Sequence, residues 1–140
     1  MDYRFLLEGV EAMSQVTQER SPMQIGSLQV AIIVCILAAT FMHLYAAIQP
    51  DEDFRFWFLP EGLGYLGLFV AFFLPQLAPR HHIISFLLAG YSILTIVLWF
   101  VLGQPDEFVG YVMSAIELVL AGMALCEGWR VLRVRSIGVV

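Results

Sequence analysis

The sequence predicts an all-α protein, a polytopic membrane four-helix bundle. The first reason is composition: 60% of the 140 residues are hydrophobic and 14% are charged, and the mean hydropathy is +0.82, unlike an ordinary soluble domain. The second is four apolar stretches, each with the roughly 17–21 residues that a helix needs to cross a membrane. The third is that none of them alternates between apolar and polar residues as barrel strands do.

The spans are expected at residues 28–48, 62–78, 83–102 and 109–128, in a bundle that covers residues 27–129. Residues 1–26 are expected to form a cytoplasmic N-terminal segment, and residues 130–140 a basic cytoplasmic tail. In the N-terminal segment, apolar residues recur at helical spacing from Tyr3 to Met13, which predicts a short amphipathic helix. That helix either lies in the membrane interface or covers the bundle, and the sequence leaves both alternatives open.

The arginines are distributed unevenly around these spans, and the chain has no lysine. Cytoplasmic loops of membrane proteins are enriched in basic residues. The sequence therefore predicts a multi-pass protein of the cell membrane with both termini in the cytoplasm, whereas the loops 49–61 and 103–108 face outward. Six of the seven basic residues lie on the predicted inner side: Arg4, Arg20, Arg80, Arg130, Arg133 and Arg135.

The motif QPDE occurs in both outward loops, at residues 49–52 and 104–107. It indicates either two repeated helical hairpins or a coincidence between two acidic loops. Proline ends the preceding helix, and acidic residues just before the next helix interact favourably with its dipole. That structural role is favoured over a divalent-cation site, which is the alternative if the two loops meet. The acidic residues concerned are Asp51, Glu52, Asp53, Asp106 and Glu107.

A carboxylate, Glu117, interrupts the apolar fourth span. It belongs to a stripe of small residues with steps of four and three, the spacing of a packed face in a left-handed helical bundle. We therefore expect Glu117 to face the other helices and not lipid. Similar stripes predict the packed faces of the second and third spans. The stripe of the fourth span is Gly110, Ser114, Glu117, Ala121, Ala124 and Gly128. That of the second span is Gly64, Gly67, Ala71, Leu74 and Ala78. That of the third span is Ser85, Leu88, Ser92, Thr95 and Trp99.

These spans are expected to share one polar layer in the outer half of the membrane. Counted from the outer ends of their spans, His43 lies roughly 8 Å deep, Thr95 roughly 10 Å and Glu117 roughly 12 Å. A charged carboxylate near the middle of a membrane helix costs about 3 kcal/mol, so Glu117 needs a hydrogen-bonding partner or a proton. The sequence therefore predicts that His43 and Glu117 approach each other, with Thr95, Ser92 or Tyr91 in support.

Three functions are compatible with this layer. The first is a non-enzymatic scaffold or small subunit of a membrane complex, in which the polar layer sets the helix register. The second is a proton- or ion-linked membrane transport component that uses His43 and Glu117 as its titrating pair. The third is a metal- or redox-associated membrane protein. The expected partners are the lipid bilayer and either other membrane subunits or further copies of the chain.

Several other classes find no support in the sequence. No enzyme activity is expected, because the chain has no nucleophile motif and no glycine-rich phosphate loop. Two ligands are an incomplete set for zinc or iron, so no metal or cofactor is expected. The net charge of −5 gives no electrostatic reason to bind nucleic acid. Cys35 and Cys126 are interpreted as buried, unpaired residues and His81-His82 as a solvated turn.

Three short motifs occur in or near the outer parts of the spans: His43-Leu44-Tyr45, Tyr91 with Trp99, and Gly110-Tyr111 leading to Glu117. With these motifs the chain resembles the small, uncharacterised four-span integral membrane proteins of halophilic archaea and some bacteria. The resemblance covers roughly residues 28–128. It implies a prokaryotic integral membrane protein and supplies no activity.

Overall fold

The computed structural model describes residues 26–49, 55–102 and 108–137, and 96% of these residues are helical. The all-α, four-helix prediction is confirmed for this part of the chain. The predicted N-terminal amphipathic helix and the five acidic loop residues Asp51, Glu52, Asp53, Asp106 and Glu107 lie outside the described residues. The elements are α1 (Ser27–Ala47), α2 (Arg55–Phe73), a 3-10 helix (Pro75–Arg80), α3 (His81–Leu102) and α4 (Phe108–Ile137).

Each of these four α-helices is long and apolar enough to cross a membrane. Only 17% to 33% of the residues in their most apolar windows are buried inside the bundle. Large side chains such as Phe41, Val101 and Leu118 consequently point outward, with 65% to 71% of their surface exposed. A water-soluble bundle confines its apolar residues to one face of each helix, whereas helices that are apolar all round belong in lipid. The chain therefore has the surface of a membrane protein.

The second helix differs from its predicted bounds. It begins at Arg55 and not at residue 62, and it ends at Phe73. The early start shortens the predicted loop 49–61 and places Glu61 inside a helix. The early end has a local cause: Pro75 disfavours helical geometry at Leu74, whose φ and ψ are −67° and 119°. Residues 75–80 then form the 3-10 helix that leads into α3.

The fourth helix is longer than predicted. It continues without a break to Ile137, a total of 30 residues. Residues 130–137 were expected to belong to a separate basic tail, but they extend the last span as helix. The sequence contains no glycine or proline between Trp129 and Ile137 that would end the helix earlier.

The helices pack as a ring in chain order. Helix α1 contacts α2 and α4, and α3 contacts α4 and, less extensively, α2. Gln29 at the start of α1 bonds to Glu127 near the end of α4. At the other end of the bundle, Trp99 of α3 lies beside Gly110 at the start of α4. Sequential helices therefore run in opposite directions, and we name the two ends of the bundle the α1–α2 end and the α2–α3 end.

The predicted packed faces are right for α4 and α3 and wrong for α2. Every member of the α4 stripe except Ser114, and every member of the α3 stripe except Trp99, is buried. On α2, however, Gly67 is exposed and has no neighbour that a Cβ would meet. The buried face of α2 carries Tyr65 and Phe72 instead. Small residues on a membrane helix mark a packed face only when a neighbouring helix lies close, and α2 buries its large aromatic residues.

An apolar belt fills the middle of the bundle. Its members belong to one continuous core cluster to which all four helices contribute. Four of the five are completely buried, and Phe72 is 6% exposed. The belt lies between the polar groups at the α1–α2 end and those at the α2–α3 end, and the buried side chains of Thr40, Ser85 and Ser92 border it. We define the belt as Ile32, Ile36, Phe72, Leu88 and Leu120.

Candidate functional site

His43 lies at the α1–α2 end with its imidazole between two carboxylates. Its Nε2 is 3.2 Å from Oε2 of Glu61 on α2 and 3.4 Å from Oε1 of Glu117 on α4. The exposed fractions of the three side chains are 4%, 14% and 3%. The contact that the sequence predicts between His43 and Glu117 is therefore present, and a second acid joins it. We call His43, Glu61, Tyr65, Thr95 and Glu117 the histidine–dicarboxylate cluster.

The second imidazole nitrogen of His43, Nδ1, shows where one hydrogen of this cluster lies. His43 Nδ1 is 2.8 Å from the carbonyl oxygen of Ala39, one turn earlier on α1. A carbonyl oxygen only accepts hydrogen bonds, so Nδ1 carries a hydrogen. In a neutral imidazole, Nε2 would then present a lone pair to Glu61 and Glu117. At least one more proton must lie among these three groups, on Nε2 or on a carboxyl, because three acceptors without a proton repel one another.

Tyr65 connects Glu117 to α3. Its hydroxyl is 3.0 Å from Glu117 Oε1 and 3.0 Å from Thr95 Oγ1, while Thr95 Oγ1 is 2.9 Å from the carbonyl oxygen of Ser92. A phenol has one hydrogen to donate. When Tyr65 donates it to Glu117, the Thr95 hydroxyl can donate either to Tyr65 or to the Ser92 carbonyl. The chain of hydroxyls therefore supplies a donor to the ionised form of Glu117.

Glu61 and Tyr65 are site residues that the sequence prediction missed. Glu61 was assigned to the outward acidic loop, and that assignment is wrong because α2 already begins at Arg55. A usable signal was present, since Glu61 and Tyr65 are four residues apart and residues at this spacing share one face of a helix. Recognising it required knowing that the helix starts before Pro60, an uncommon residue inside a helix.

Tyr91 and Ser92 support the cluster less directly than expected. The Tyr91 hydroxyl donates to the backbone carbonyl of Glu61 at 3.1 Å, and its ring packs edge-on against Tyr65 with centroids 5.0 Å apart. The Ser92 hydroxyl donates to a carbonyl of its own helix, that of Leu88, at 3.0 Å. Tyr91 therefore positions α2, whereas Ser92 satisfies its hydroxyl within α3.

A glycine allows α1 and α2 to approach at this site. A Cβ placed on Gly62 would lie 2.8 Å from the Leu44 side chain and 3.3 Å from the His43 Cβ. A larger residue would require the Leu44 side chain to move and would press against His43. Phe58 lies edge-on to the imidazole with centroids 6.0 Å apart. The cluster is thus closed by the close approach of α1 and α2 at Gly62 on one side and by an aromatic ring on another.

A second polar group occupies the α2–α3 end. Glu127, which is completely buried on α4, accepts a hydrogen bond from Gln29 Nε2 at 2.8 Å. Arg130 approaches both carboxylate oxygens, with NH2 3.1 Å from Oε1 and Nε 3.0 Å from Oε2. His81 Nε2 lies 3.6 Å from Oε1. We call Gln29, His81, Glu127 and Arg130 the Glu127 cluster.

The sequence analysis did not identify Glu127, although a signal for it existed. Stepping along α4 from Glu117 by three, four and three residues reaches Leu120, Ala124 and Glu127, and all four are buried. This is the periodicity of a helix face that packs against other helices. Its position alone favours a solvent-exposed side chain, because Glu127 lies near the end of the apolar stretch, where a charged side chain often reaches water.

The interpretation of His81-His82 as a solvated turn is wrong for His81. Its side chain is 16% exposed and faces Glu127, and its ring packs on Phe72 with centroids 4.3 Å apart. The two cysteines are free, but they are not both buried as expected, since Cys35 is half-buried and Cys126 is exposed. In the described ranges, no group of three or more histidine, cysteine, aspartate or glutamate side chains is arranged to hold a metal ion.

No protein-family model, curated protein or solved structure matches this chain. Function is therefore inferred from the geometry of the two polar clusters and of the apolar belt between them.

Proposed function

We propose that this chain is an integral membrane protein that binds and releases a proton at the histidine–dicarboxylate cluster, as the proton-linked component of a membrane transport system. One observation carries the proposal: His43 Nε2 lies within 3.4 Å of two carboxylates while Nδ1 is already committed to a backbone carbonyl. Groups that share a proton over such distances change their joint charge by gaining or losing one proton.

The charge of the cluster explains why such a proton would matter in a membrane. With one shared proton among Nε2, Glu61 and Glu117, the net charge is −1 in every arrangement, and with two shared protons it is zero. A net charge buried in the hydrocarbon region costs several kcal/mol, whereas a neutral, hydrogen-bonded group costs far less. Proton uptake at this site is therefore coupled to the free energy of the packed helices, which is the requirement for linking a proton to a conformational change.

The orientation of the chain is part of the proposal. The arginine distribution favours cytoplasmic termini, and this places the α1–α2 end and its cluster in the outer half of the membrane. Glu61, the most exposed of the three side chains, would then give the cluster access to the outer face. Labelling single cysteines, introduced at Gln49 and at Ser136 in a cysteine-free variant, with an impermeant maleimide in intact cells tests this orientation. We expect only the first to react, and the reverse result would contradict it.

Infrared difference spectroscopy of the purified protein tests the proton site directly. We expect a carboxylic acid band that grows as the pH is lowered and that is changed in both Glu61→Gln and Glu117→Gln. Tyr111→Phe is the matched control, because this tyrosine is 49% exposed on α4 and belongs to neither cluster. The proposal would be contradicted if the carboxylic acid band were the same in the wild type and in both glutamine variants.

A scaffold or small subunit of a membrane complex is the second candidate. The observation in its favour is the apolar belt: it lies between the two clusters, and in the described part of the bundle no hydrogen bond or ion pair joins one cluster to the other. Each cluster then acts as a clamp that joins three or more helices. In that case Glu117→Gln lowers stability and leaves proton uptake by reconstituted vesicles unchanged, and other subunits or further copies of the chain purify with the protein from mild detergent.

A further inference from the structure

The Glu127 cluster has a chemical feature in common with the proposed proton site. In both, the Nε2 atom of an imidazole faces a buried carboxylate of α4 from another helix, at 3.4 Å for His43 and Glu117 and at 3.6 Å for His81 and Glu127. The two carboxylates are ten residues apart on one helix, which separates them by about 15 Å along its axis. The chain thus carries one imidazole–carboxylate pair toward each end of the bundle.

His81 Nε2 is a buried polar atom that faces a carboxylate. The atom is buried and forms no hydrogen bond among the described residues, and 3.6 Å to Glu127 is too long for one. The Oε2 atom of Glu127, a residue with no exposed surface, also lacks a hydrogen bond although Arg130 Nε is close. A proton on His81 Nε2 would convert the contact with Glu127 into a charge-assisted hydrogen bond.

The charged and titratable groups around this pair come from two helices. Helix α4 contributes Glu127 and Arg130, whose opposite charges cancel, and α3 contributes His81 and its neighbour His82. Helix α1 contributes the neutral amide of Gln29. Because Glu127 and Arg130 together are neutral, a proton on His81 would give the pair and its surroundings one net positive charge. Arg130 is 55% exposed, so its guanidinium can leave Glu127 for the solvent when His81 is charged.

Hydroxyl groups lie between the two imidazole–carboxylate pairs, but they do not connect them. On the packed face of α3, Ser85 and Ser92 are both buried and are seven residues apart, about 10 Å along the helix. A proton moves between groups that are within hydrogen-bonding distance, about 3 Å. Leu88, a member of the apolar belt, lies between Ser85 and Ser92 on this face of α3. Thr40, which is 7% exposed with a buried hydroxyl that has no partner in the described residues, precedes His43 by three residues on α1.

We propose that the His81–Glu127 pair is a second proton-binding site and that the apolar belt is the gate between it and the histidine–dicarboxylate cluster. This inference rests on the proposed function. A proton taken up at one cluster reaches the other only when the belt admits water or moves apart, and no other bond is made or broken in the transfer. With the belt closed, each site exchanges protons with its own side of the membrane.

Opening the belt by substitution tests the gate. Leu88→Ser removes apolar volume and adds a hydroxyl midway between Ser85 and Ser92. We expect proton conductance in reconstituted vesicles, followed with a trapped pH dye, to rise by about tenfold or more, which corresponds to a barrier lowered by about 1.4 kcal/mol. Leu87→Ser is the matched control: the same change at the adjacent residue, which is 54% exposed, leaves the conductance at the wild-type value.

Ile36→Thr is the second belt variant, for use if Leu88→Ser does not fold, since threonine keeps the β-branched shape. If neither folded variant raises the conductance, or if Leu87→Ser raises it equally, the gate is refuted.

Combining the leaking variant with Glu127→Gln tests the second site, and the leak is expected to fall back by about tenfold. A leak that is insensitive to Glu127→Gln refutes the second site. The carboxyl band of Glu61 and Glu117 separates these failures from failure of the proposed function.

Discussion

A double-mutant cycle between Tyr65 and Glu117 tests the geometry of the histidine–dicarboxylate cluster most sharply. Tyr65→Phe removes only the hydroxyl that lies 3.0 Å from Glu117 Oε1 and 3.0 Å from Thr95 Oγ1. Glu117→Gln keeps the size of the side chain and replaces the carboxyl by an amide that cannot take up or release the shared proton. Both residues have 2% or less of their surface exposed, so water replaces neither partner. Each change should therefore be measured as a loss of protein–protein hydrogen bonding.

The expected magnitudes follow from these contacts. A hydrogen bond to a charged group contributes about 1.5–3 kcal/mol in soluble proteins, whereas side-chain hydrogen bonds measured in a membrane protein average about 0.6 kcal/mol and reach about 1.7 kcal/mol. We expect about 1–2 kcal/mol of destabilisation for each single variant, because each one weakens two contacts. The coupling free energy between them should lie near the upper membrane value, about 1–1.7 kcal/mol, because both partners are buried and the hydrogen bond between them is direct.

Reversible unfolding of the four proteins in mixed detergent micelles measures the cycle. The matched control replaces Tyr65→Phe by Tyr111→Phe, which removes a hydroxyl from an exposed tyrosine and should be additive with Glu117→Gln. Independent sites add to within about 0.3–0.5 kcal/mol. A coupling between Tyr65 and Glu117 no larger than that of the control pair would refute the hydrogen bond and the packing that places these residues together.

Two further predictions concern other parts of the bundle. Gly110→Ala should destabilise the protein by about 1–3 kcal/mol, because the added Cβ would overlap the Trp99 indole. Gly122→Ala is the control, because a Cβ there meets no neighbour within 4 Å. It should leave the stability unchanged or raise it by up to about 1 kcal/mol. The same unfolding assay checks both, and equal effects would contradict the contact between α3 and α4. Gln29→Leu should cost about 1–3 kcal/mol by removing the 2.8 Å donor to Glu127, and no loss of stability would contradict that bond.

The resemblance of the sequence to a group of halophile proteins stays a hypothesis, and so do the repeated hairpins. The QPDE motifs on which the repeat depends fall mostly outside the described residues. The two polar clusters give the repeat no independent support, because one joins the end of α1 to the start of α2 and the other involves the start of α3. Both clusters contain a glutamate of α4, namely Glu117 in one and Glu127 in the other. Only the first also contains a glutamate of α2, Glu61.

The sequence by itself determined the four membrane helices and the inward-facing side of α4. Both depend on local patterns: apolar length sets the spans, and the spacing of small residues around Glu117 sets the packed face. The same patterns were sufficient to place His43 and Glu117 at one depth, because rise per residue is constant in a helix and the spans are antiparallel.

Only the tertiary structure decided which other residues join these two. Glu61 enters the cluster because α2 starts before Pro60, and Tyr65 follows it on the same face. Glu127 meets His81 because α3 packs against α4 from Trp99, beside Gly110, to His81. Such contacts depend on how far each helix is rotated about its axis, and that rotation is set by packing against neighbours. A pattern of residues within one helix can indicate which face is packed, but it does not show which residues of the neighbouring helices that face meets.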